Sequence, residues 1–178
     1  MAKTKIEWTT DVWNPVTGCT KVSPGCLNCY AETIDRRFQH DGPHVPWTVR
    51  AQDKAGVPAI RLHPDRLELP LRWRKPRRVF VNSMSDLFHE QVPDDFICQV
   101  FQTMALAPQH VFQVLTKRPD RMESWMKAWR WRELPCCSAG RLRDPLPNVW
   151  LGVSVENQRW ADGRLPILAR VPAKVRFI

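Results

Sequence analysis

Three cysteines occupy one short loop near the start of the chain: Cys19, Cys26 and Cys29. Glycine, proline and polar residues surround them, so the thiols do not belong to an apolar stripe. Thiolates packed this densely repel one another unless a cation holds them, and the spacing therefore indicates a metal ion or an iron–sulfur cluster. No fourth cysteine follows nearby, which leaves one coordination position without a cysteine ligand. An open position of this kind is what a catalytic metal centre requires.

Two plainer interpretations of these cysteines stay open. A structural zinc site could take His40 or His44 as its fourth ligand and would stabilise the loop without doing chemistry. Alternatively, the three reduced thiols only pack. The other cysteines are left out of the site, because Cys98 lies among the apolar residues of a predicted helix and Cys136 and Cys137 are adjacent in the chain.

Length and composition favour one intracellular domain, residues 1–178. The first ten residues lack the apolar run of a signal peptide, and no stretch has the roughly 20 apolar residues that a membrane helix needs. Six cysteines without a secretory context favour reduced thiols and a cytoplasmic location. The formal net charge of +9 is compatible with polyanionic partners such as nucleic acid, although solvated arginines in basic runs such as 72–78 are the simpler explanation.

Strand and helix patterns alternate along the chain. Six strands joined by helices predict an α/β fold with a parallel sheet that curls into a partial (βα)6 TIM-like barrel, and a doubly wound sheet is the alternative. The expected strands are 79–82, 112–116, 149–154 and 175–178, with a weaker strand at 59–62 and a first strand near 11–13. The expected helices are one at about 29–39, two that begin at Pro93 and Pro119, and one at about 157–164 that ends before Pro166.

Polar side chains cluster where the predicted strands end. The carboxyl ends of parallel strands meet at one rim, and the cysteine loop follows the first strand, so we expect a single cavity there. Ser154 and Glu156 are both included because residues two apart share one strand face. The candidate residues at this rim are Asn82, Ser83 and Asp86, then Thr116 and Lys117, then Ser154 and Glu156. Arg118 follows Lys117 at the same strand end, where the two residues either bind a phosphate or carboxylate or form a salt bridge at the helix entry. His89 and Glu90 are either acid–base groups or loop caps.

Several motifs together resemble those of a known family. The sequence is similar to a phage- and prophage-encoded family with a three-cysteine motif, whose function is not established and which is itself similar to radical S-adenosylmethionine enzymes. The matching segments run from Trp13 to Cys19, Pro24 to Ala31, Asn82 to Glu90, Val114 to Pro119 and Trp150 to Glu156.

The resemblance implies a specific cofactor chemistry. Cys19, Cys26 and Cys29 would hold a [4Fe–4S] cluster whose fourth iron binds S-adenosylmethionine, and reductive cleavage would yield a 5′-deoxyadenosyl radical. Cofactor contacts are expected from Tyr30, Asn82, Ser83, Thr116 and Ser154, and catalytic roles from Asp86, Lys117 and Glu156.

Two functions follow as alternatives. One is an enzyme that modifies a nucleic acid, a nucleotide or another macromolecule in the cytoplasm of the host cell. The other is a non-catalytic phage accessory protein with a structural zinc ion and a basic surface that binds nucleic acid or protein.

The last predicted strand, 175–178, raises a further expectation. Members of the similar family continue beyond this point, so the domain is expected to be truncated at its C-terminal end and the barrel to be open. A buried parallel strand needs cover on both faces, and the free edge is expected to meet a partner protein or a second copy of the chain.

Overall fold

The computed structural model describes residues 4, 6–38, 60–130 and 145–178. His40, His44, Cys136 and Cys137 therefore lie outside the described residues. So do most of the loop after the first helix and the segment before residue 145.

The strands form a parallel sheet, as the sequence predicts. The described strands are β1 (Asp11–Trp13), β2 (Val16–Thr17), β3 (Arg61–Leu62), β4 (Arg78–Val81), β5 (Val111–Thr116), β6 (Val149–Val153) and β7 (Val175–Phe177). Five of them pair in the order β1–β4–β5–β6–β7, and every pair is parallel. The α/β class with a parallel sheet is therefore confirmed.

The weak strand predicted at 59–62 does not join this sheet. Arg61–Leu62 forms β3, which pairs antiparallel with β2 in a separate two-stranded sheet. The chain turns directly after β1, and β2 pairs there with a segment distant in sequence: the backbone N–H of His63 donates to the carbonyl of Pro15 at 2.8 Å. The small sheet lies next to the cysteine loop and helps to bury Val16.

Four helices connect the strands. They are α1 (Tyr30–Phe38), α2 (Asp94–Leu106), α3 (Pro119–Arg130) and α4 (Gln158–Arg170). The starts agree with the sequence signals, and the Asn157 side chain caps α4 by accepting from the backbone N–H of Trp160 at 3.2 Å. The expected end of α4 before Pro166 is wrong. Proline removes one helical hydrogen bond, but α4 packs against α3 and β6, and that contact outweighs the loss.

The core lies between the central strands and helices α2 and α3. Strands β4, β5 and β6 are almost completely buried, as expected for a parallel sheet that is covered on both faces. Phe101 of α2 meets Trp125 of α3 with ring centroids 4.6 Å apart. Cys98 is fully buried in this core, as predicted, but it is disulfide-bonded, which corrects the expectation that every thiol is reduced.

Strand β7 differs from the prediction of a buried strand. Val175 and Phe177 are half-buried and Arg176 is exposed, because β7 lies at the edge of the sheet with β6 as its strand neighbour. None of the described helices is both long and apolar enough to cross a bilayer.

Candidate functional site

The carboxyl ends of β4, β5 and β6 open into a shared cleft. The structure places ten of the eleven candidate residues along its walls; Glu156 is the exception. The ten are Cys19, Cys26, Cys29, Tyr30, Asn82, Ser83, Asp86, Thr116, Lys117 and Ser154.

The cysteine loop is attached to the rim by its two ends. At its start, the backbone N–H of Gly18 donates to the carbonyl of Met84 at 3.3 Å. At its end, α1 begins and the Tyr30 hydroxyl donates to the carbonyl of Ser83 at 2.6 Å. Both contacts reach the segment that follows β4, so the loop lies across the carboxyl end of that strand.

The three sulfurs face one cleft without forming a closed set of ligands. Among the described residues, no three histidine, cysteine or acidic side chains stand close enough together to hold a metal ion. In a [4Fe–4S] cluster each cysteine binds a different iron, so the sulfurs do not need to meet at one atom.

Cys19 has the most perturbed environment of the three. Burial raises the pKa of its thiol to about 11; the charge of Asp86 adds to the rise, and the guanidinium of Arg118 opposes it. A thiol with this pKa stays protonated at neutral pH. Ligation at Cys19 therefore requires a cation strong enough to displace the proton, as metal–thiolate bonding does.

Asp86 is fully engaged within the protein. Its carboxylate accepts hydrogen bonds from the Thr116 hydroxyl at 2.7 and 2.9 Å and from the backbone N–H groups of Phe88 and Lys117 at 3.0 Å. It also pairs with Arg118 at 3.2 Å. A carboxylate that accepts this many bonds is held in place as an acceptor. Asp86 therefore organises the rim by holding the segment that follows β5.

Glu156 lies behind the cysteine loop rather than in the cleft. Strand β6 ends at Val153, so the alternation that places Ser154 at the cleft does not continue to Glu156. Its carboxylate accepts from the Ser23 hydroxyl at 2.6 Å and from Arg164 at 3.0 Å. Lys117 Nζ, which reaches the cleft from the other side, is 3.9 Å from Oε1.

Asn82 combines an unusual backbone with an unused donor. Its φ is 60°, in the left-handed region that residues other than glycine rarely adopt. The side-chain oxygen accepts from the backbone N–H of Val16 at 3.3 Å, which assigns the orientation of the amide. Nδ2 is buried and has no hydrogen-bond partner among the described residues. A strained residue with an unsatisfied donor on a cleft wall is typical of a ligand site.

His89 supports the loop. Its Nδ1 accepts from the backbone N–H of Gln91 at 3.1 Å, so Nε2 carries the proton and donates to the Thr20 hydroxyl at 2.8 Å. Burial lowers the pKa of this imidazole, and the charge of Arg118 lowers it further, which keeps the ring neutral. Of the two roles considered for His89, this geometry favours the structural one.

The sequence predicts Arg118 at this rim but assigns the catalytic role to its neighbour Lys117. Its guanidinium reaches the sulfur of Cys19 at 3.7 Å, and its side chain is only 9% exposed. Both residues follow β5 and are positively charged, and these two features of the sequence do not distinguish one from the other. Both side chains line the cleft, and the arginine also contacts the cysteine loop.

The basic run 72–78 lies far from this chemistry. It leads into the amino end of β4, whereas the cleft is at the carboxyl ends of the strands. Part of its charge is already paired: Arg77 contacts Asp11 and lies 4.7 Å from the ring centroid of Trp73. The run and the cleft are therefore on opposite rims of the sheet.

Gly25 is needed where the loop passes Glu156. A Cβ at this position would lie 2.3 Å from the Glu156 Cγ and 2.7 Å from its Oε1. Gly25→Ala is therefore expected to lower the free energy of unfolding by about 1–3 kcal/mol. Gly163→Ala in α4 is the control, because nothing lies within 4 Å of the added Cβ. We expect the control to gain about 0.5–1 kcal/mol. Urea unfolding of both variants checks this, and equal stability of the two would contradict the close approach.

The comparisons with known proteins identify a family and leave its activity open. No curated protein and no solved structure matches the chain. One family model does match, over residues 3–178, and its description is "Protein of unknown function (DUF5131)". Because the match spans nearly all 178 residues, the chain belongs to the DUF5131 family of proteins of unknown function.

Proposed function

We propose that this protein is a phage-type iron–sulfur protein of the radical S-adenosylmethionine-like kind, active in the cytoplasm of the host cell. Its substrate would be a nucleic acid, a nucleotide or another macromolecule. One observation carries the proposal: three thiols from a single loop face the same cleft as the polar carboxyl ends of three parallel strands. Ligand sites gather at this end of parallel sheets.

The donor set fits the proposed cofactors. Cys19, Cys26 and Cys29 would ligate three irons of a [4Fe–4S] cluster and leave the fourth iron open. The unused Nδ2 of Asn82 and the ammonium of Lys117 are donors available to the carboxylate of S-adenosylmethionine. Ser83, Thr116, Ser154 and Tyr30 supply the other polar contacts. When bound, the pair of cofactors supplies one-electron cleavage of the sulfonium and hydrogen abstraction from a substrate.

The proposed roles of the acidic residues follow from their contacts. Asp86 holds the segment Thr116–Arg118 and so orients the Lys117 ammonium and the Arg118 guanidinium. Glu156 holds the loop through Ser23. Both carboxylates would thus act by positioning the cofactor-binding groups.

The proposal includes a partial barrel. The sheet order β1–β4–β5–β6–β7 adds each new parallel strand on the same side. A doubly wound sheet instead reverses direction at a switch point, whereas a barrel does not. The sequential order therefore favours the barrel over the doubly wound alternative.

The alternative, a non-catalytic accessory protein with structural zinc, has one observation in its favour. The basic run 72–78 is at the rim opposite the cleft, where it could bind nucleic acid or protein without taking part in any chemistry. On this reading the metal would only stabilise the cysteine loop.

Anaerobic reconstitution with iron and sulfide distinguishes the two functions. The iron–sulfur proposal predicts a brown protein with about four irons and four sulfides per chain. With S-adenosylmethionine and a reductant it should release 5′-deoxyadenosine, measured by mass spectrometry.

The matched variants test the ligands. The triple variant Cys19→Ala, Cys26→Ala, Cys29→Ala should lose the iron. The control Cys98→Ala removes a disulfide-bonded sulfur in the core, outside the cleft, and should keep the iron. A colourless protein that retains zinc, or iron retained by the triple variant, would overturn the proposal.

A further inference from the structure

Arg118 makes an unusually complete set of contacts at the cleft. All five N–H donors of its guanidinium have an acceptor. Nε donates to Glu90 at 3.1 Å, and Nη1 donates to Asp86 at 3.2 Å and to the Cys19 sulfur at 3.7 Å. Nη2 donates to the carbonyl of Thr20 at 3.2 Å and to its hydroxyl at 2.7 Å. Three of the five bonds therefore end on the cysteine loop.

The position of Arg118 in the chain makes these contacts rigid. Its backbone N–H donates to the Thr116 hydroxyl at 2.9 Å, and that hydroxyl in turn donates to Asp86. The residue leads directly from β5 into α3. The guanidinium thus reaches the loop from a fixed point on the sheet, and its planar fork specifies the orientation of Cys19 and Thr20 together. A lysine could supply the charge but not the fork.

We infer that Arg118 is a positioning residue for the cofactor proposed above: it sets the geometry of the first cysteine ligand and raises the reduction potential of the bound cluster. The inference rests on the proposed function. Its physical basis is that a fixed positive charge and an N–H donor at a ligand sulfur stabilise the reduced, more negative form of a cluster. Of the three cysteine sulfurs, the guanidinium donates to that of Cys19.

Two variants of Arg118 separate its charge from its shape. Arg118→Gln removes the charge and the fork, and Arg118→Lys removes only the fork. Arg170→Gln is the control for loss of one positive charge. Arg170 binds Glu123 with two bonds of 2.7 and 3.1 Å and lies at the end of α4, away from the cleft.

The first readout is the midpoint potential of the reconstituted cluster, from a redox titration followed by electron paramagnetic resonance. We expect a more negative potential in Arg118→Gln, a smaller shift in Arg118→Lys and none in Arg170→Gln. A residue with only a structural role would not produce this order. Loss of the cluster from folded Arg118→Gln, with retention in Arg118→Lys, would also support the inference. Equal potentials in the wild type and Arg118→Gln would overturn it.

The second readout does not depend on the cluster. Hydrogen exchange of the apoprotein should speed up in peptides covering residues 18–29 for both Arg118 variants, and not for Arg170→Gln. If the wild type takes up no iron, the proposed function fails, and this exchange measurement alone decides whether Arg118 positions the loop. Unchanged exchange in folded Arg118→Gln would overturn the positioning role.

Discussion

Asp86→Ala is expected to lower the free energy of unfolding by about 3–5 kcal/mol, because it leaves the buried Arg118 charge with only the exposed Glu90 as its partner. The Arg118 side chain is 9% exposed and pairs with Asp86 at 3.2 Å. The Thr116 hydroxyl and two backbone N–H groups would also lose their acceptor. Urea unfolding followed by circular dichroism measures the loss.

Asp86→Asn is the informative companion to this change. The amide keeps one oxygen acceptor and the shape of the side chain, so the loss should be smaller than in Asp86→Ala. Thr116→Val removes only the hydroxyl and should cost about 1–3 kcal/mol. Similar stability of Asp86→Ala and the wild type would show that the carboxylate does not organise the rim.

Glu156→Ala is also expected to lower the free energy of unfolding by about 3–5 kcal/mol, because it removes the partner of another buried charge, that of Arg164. Arg164 has a side chain that is 3% exposed and lies 3.0 Å from the Glu156 carboxylate. Within the described part of the chain its Nε and Nη2 have no hydrogen-bond partner, so the carboxylate is the main compensation for its charge. Loss of Glu156 also releases Ser23 of the cysteine loop.

A double-mutant cycle tests this pair. Arg164→Met alone should also destabilise the protein, and the double variant Glu156→Ala, Arg164→Met should recover part of the stability, because no unpaired charge remains. Additive losses in the cycle would show that the two side chains do not interact.

The pH dependence gives a second measure of Glu156. Burial on its own raises the pKa of this carboxyl, but the hydrogen bonds from Ser23 and Arg164 outweigh it and hold the pKa below its ordinary value. The contribution to stability is therefore complete above the ordinary pKa of about 4.3. It is lost as the pH falls from there through the lower pKa of the folded state. Glu156→Ala should lack this part of the acid transition.

Much of the scaffold follows from local sequence. The buried β-branched runs specify β4, β5 and β6, and the capping and proline signals specify the starts of α2, α3 and α4. These signals act within a few residues, so they can be read directly from the sequence. The errors fall where neighbours override them: β3 pairs with β2 because the chain turns at Pro15, and α4 continues through Pro166 because it packs on α3.

The candidate site also has features that follow from the sequence and features that depend on tertiary packing. The sequence by itself determined the composition of the cleft wall, because parallel strands end at one rim and the residues after them must meet there. Only the tertiary structure decided which donors and acceptors are already satisfied. Lys117 and Arg118 are adjacent basic residues that both follow β5, but it is Arg118 that contacts Cys19. Glu156 lies against Gly25 rather than in the cleft because β6 ends three residues before it. Hydrogen bonds between residues about 100 positions apart, such as that from Arg118 to Cys19, depend on how the strands and loops pack together, and no local pattern encodes that geometry.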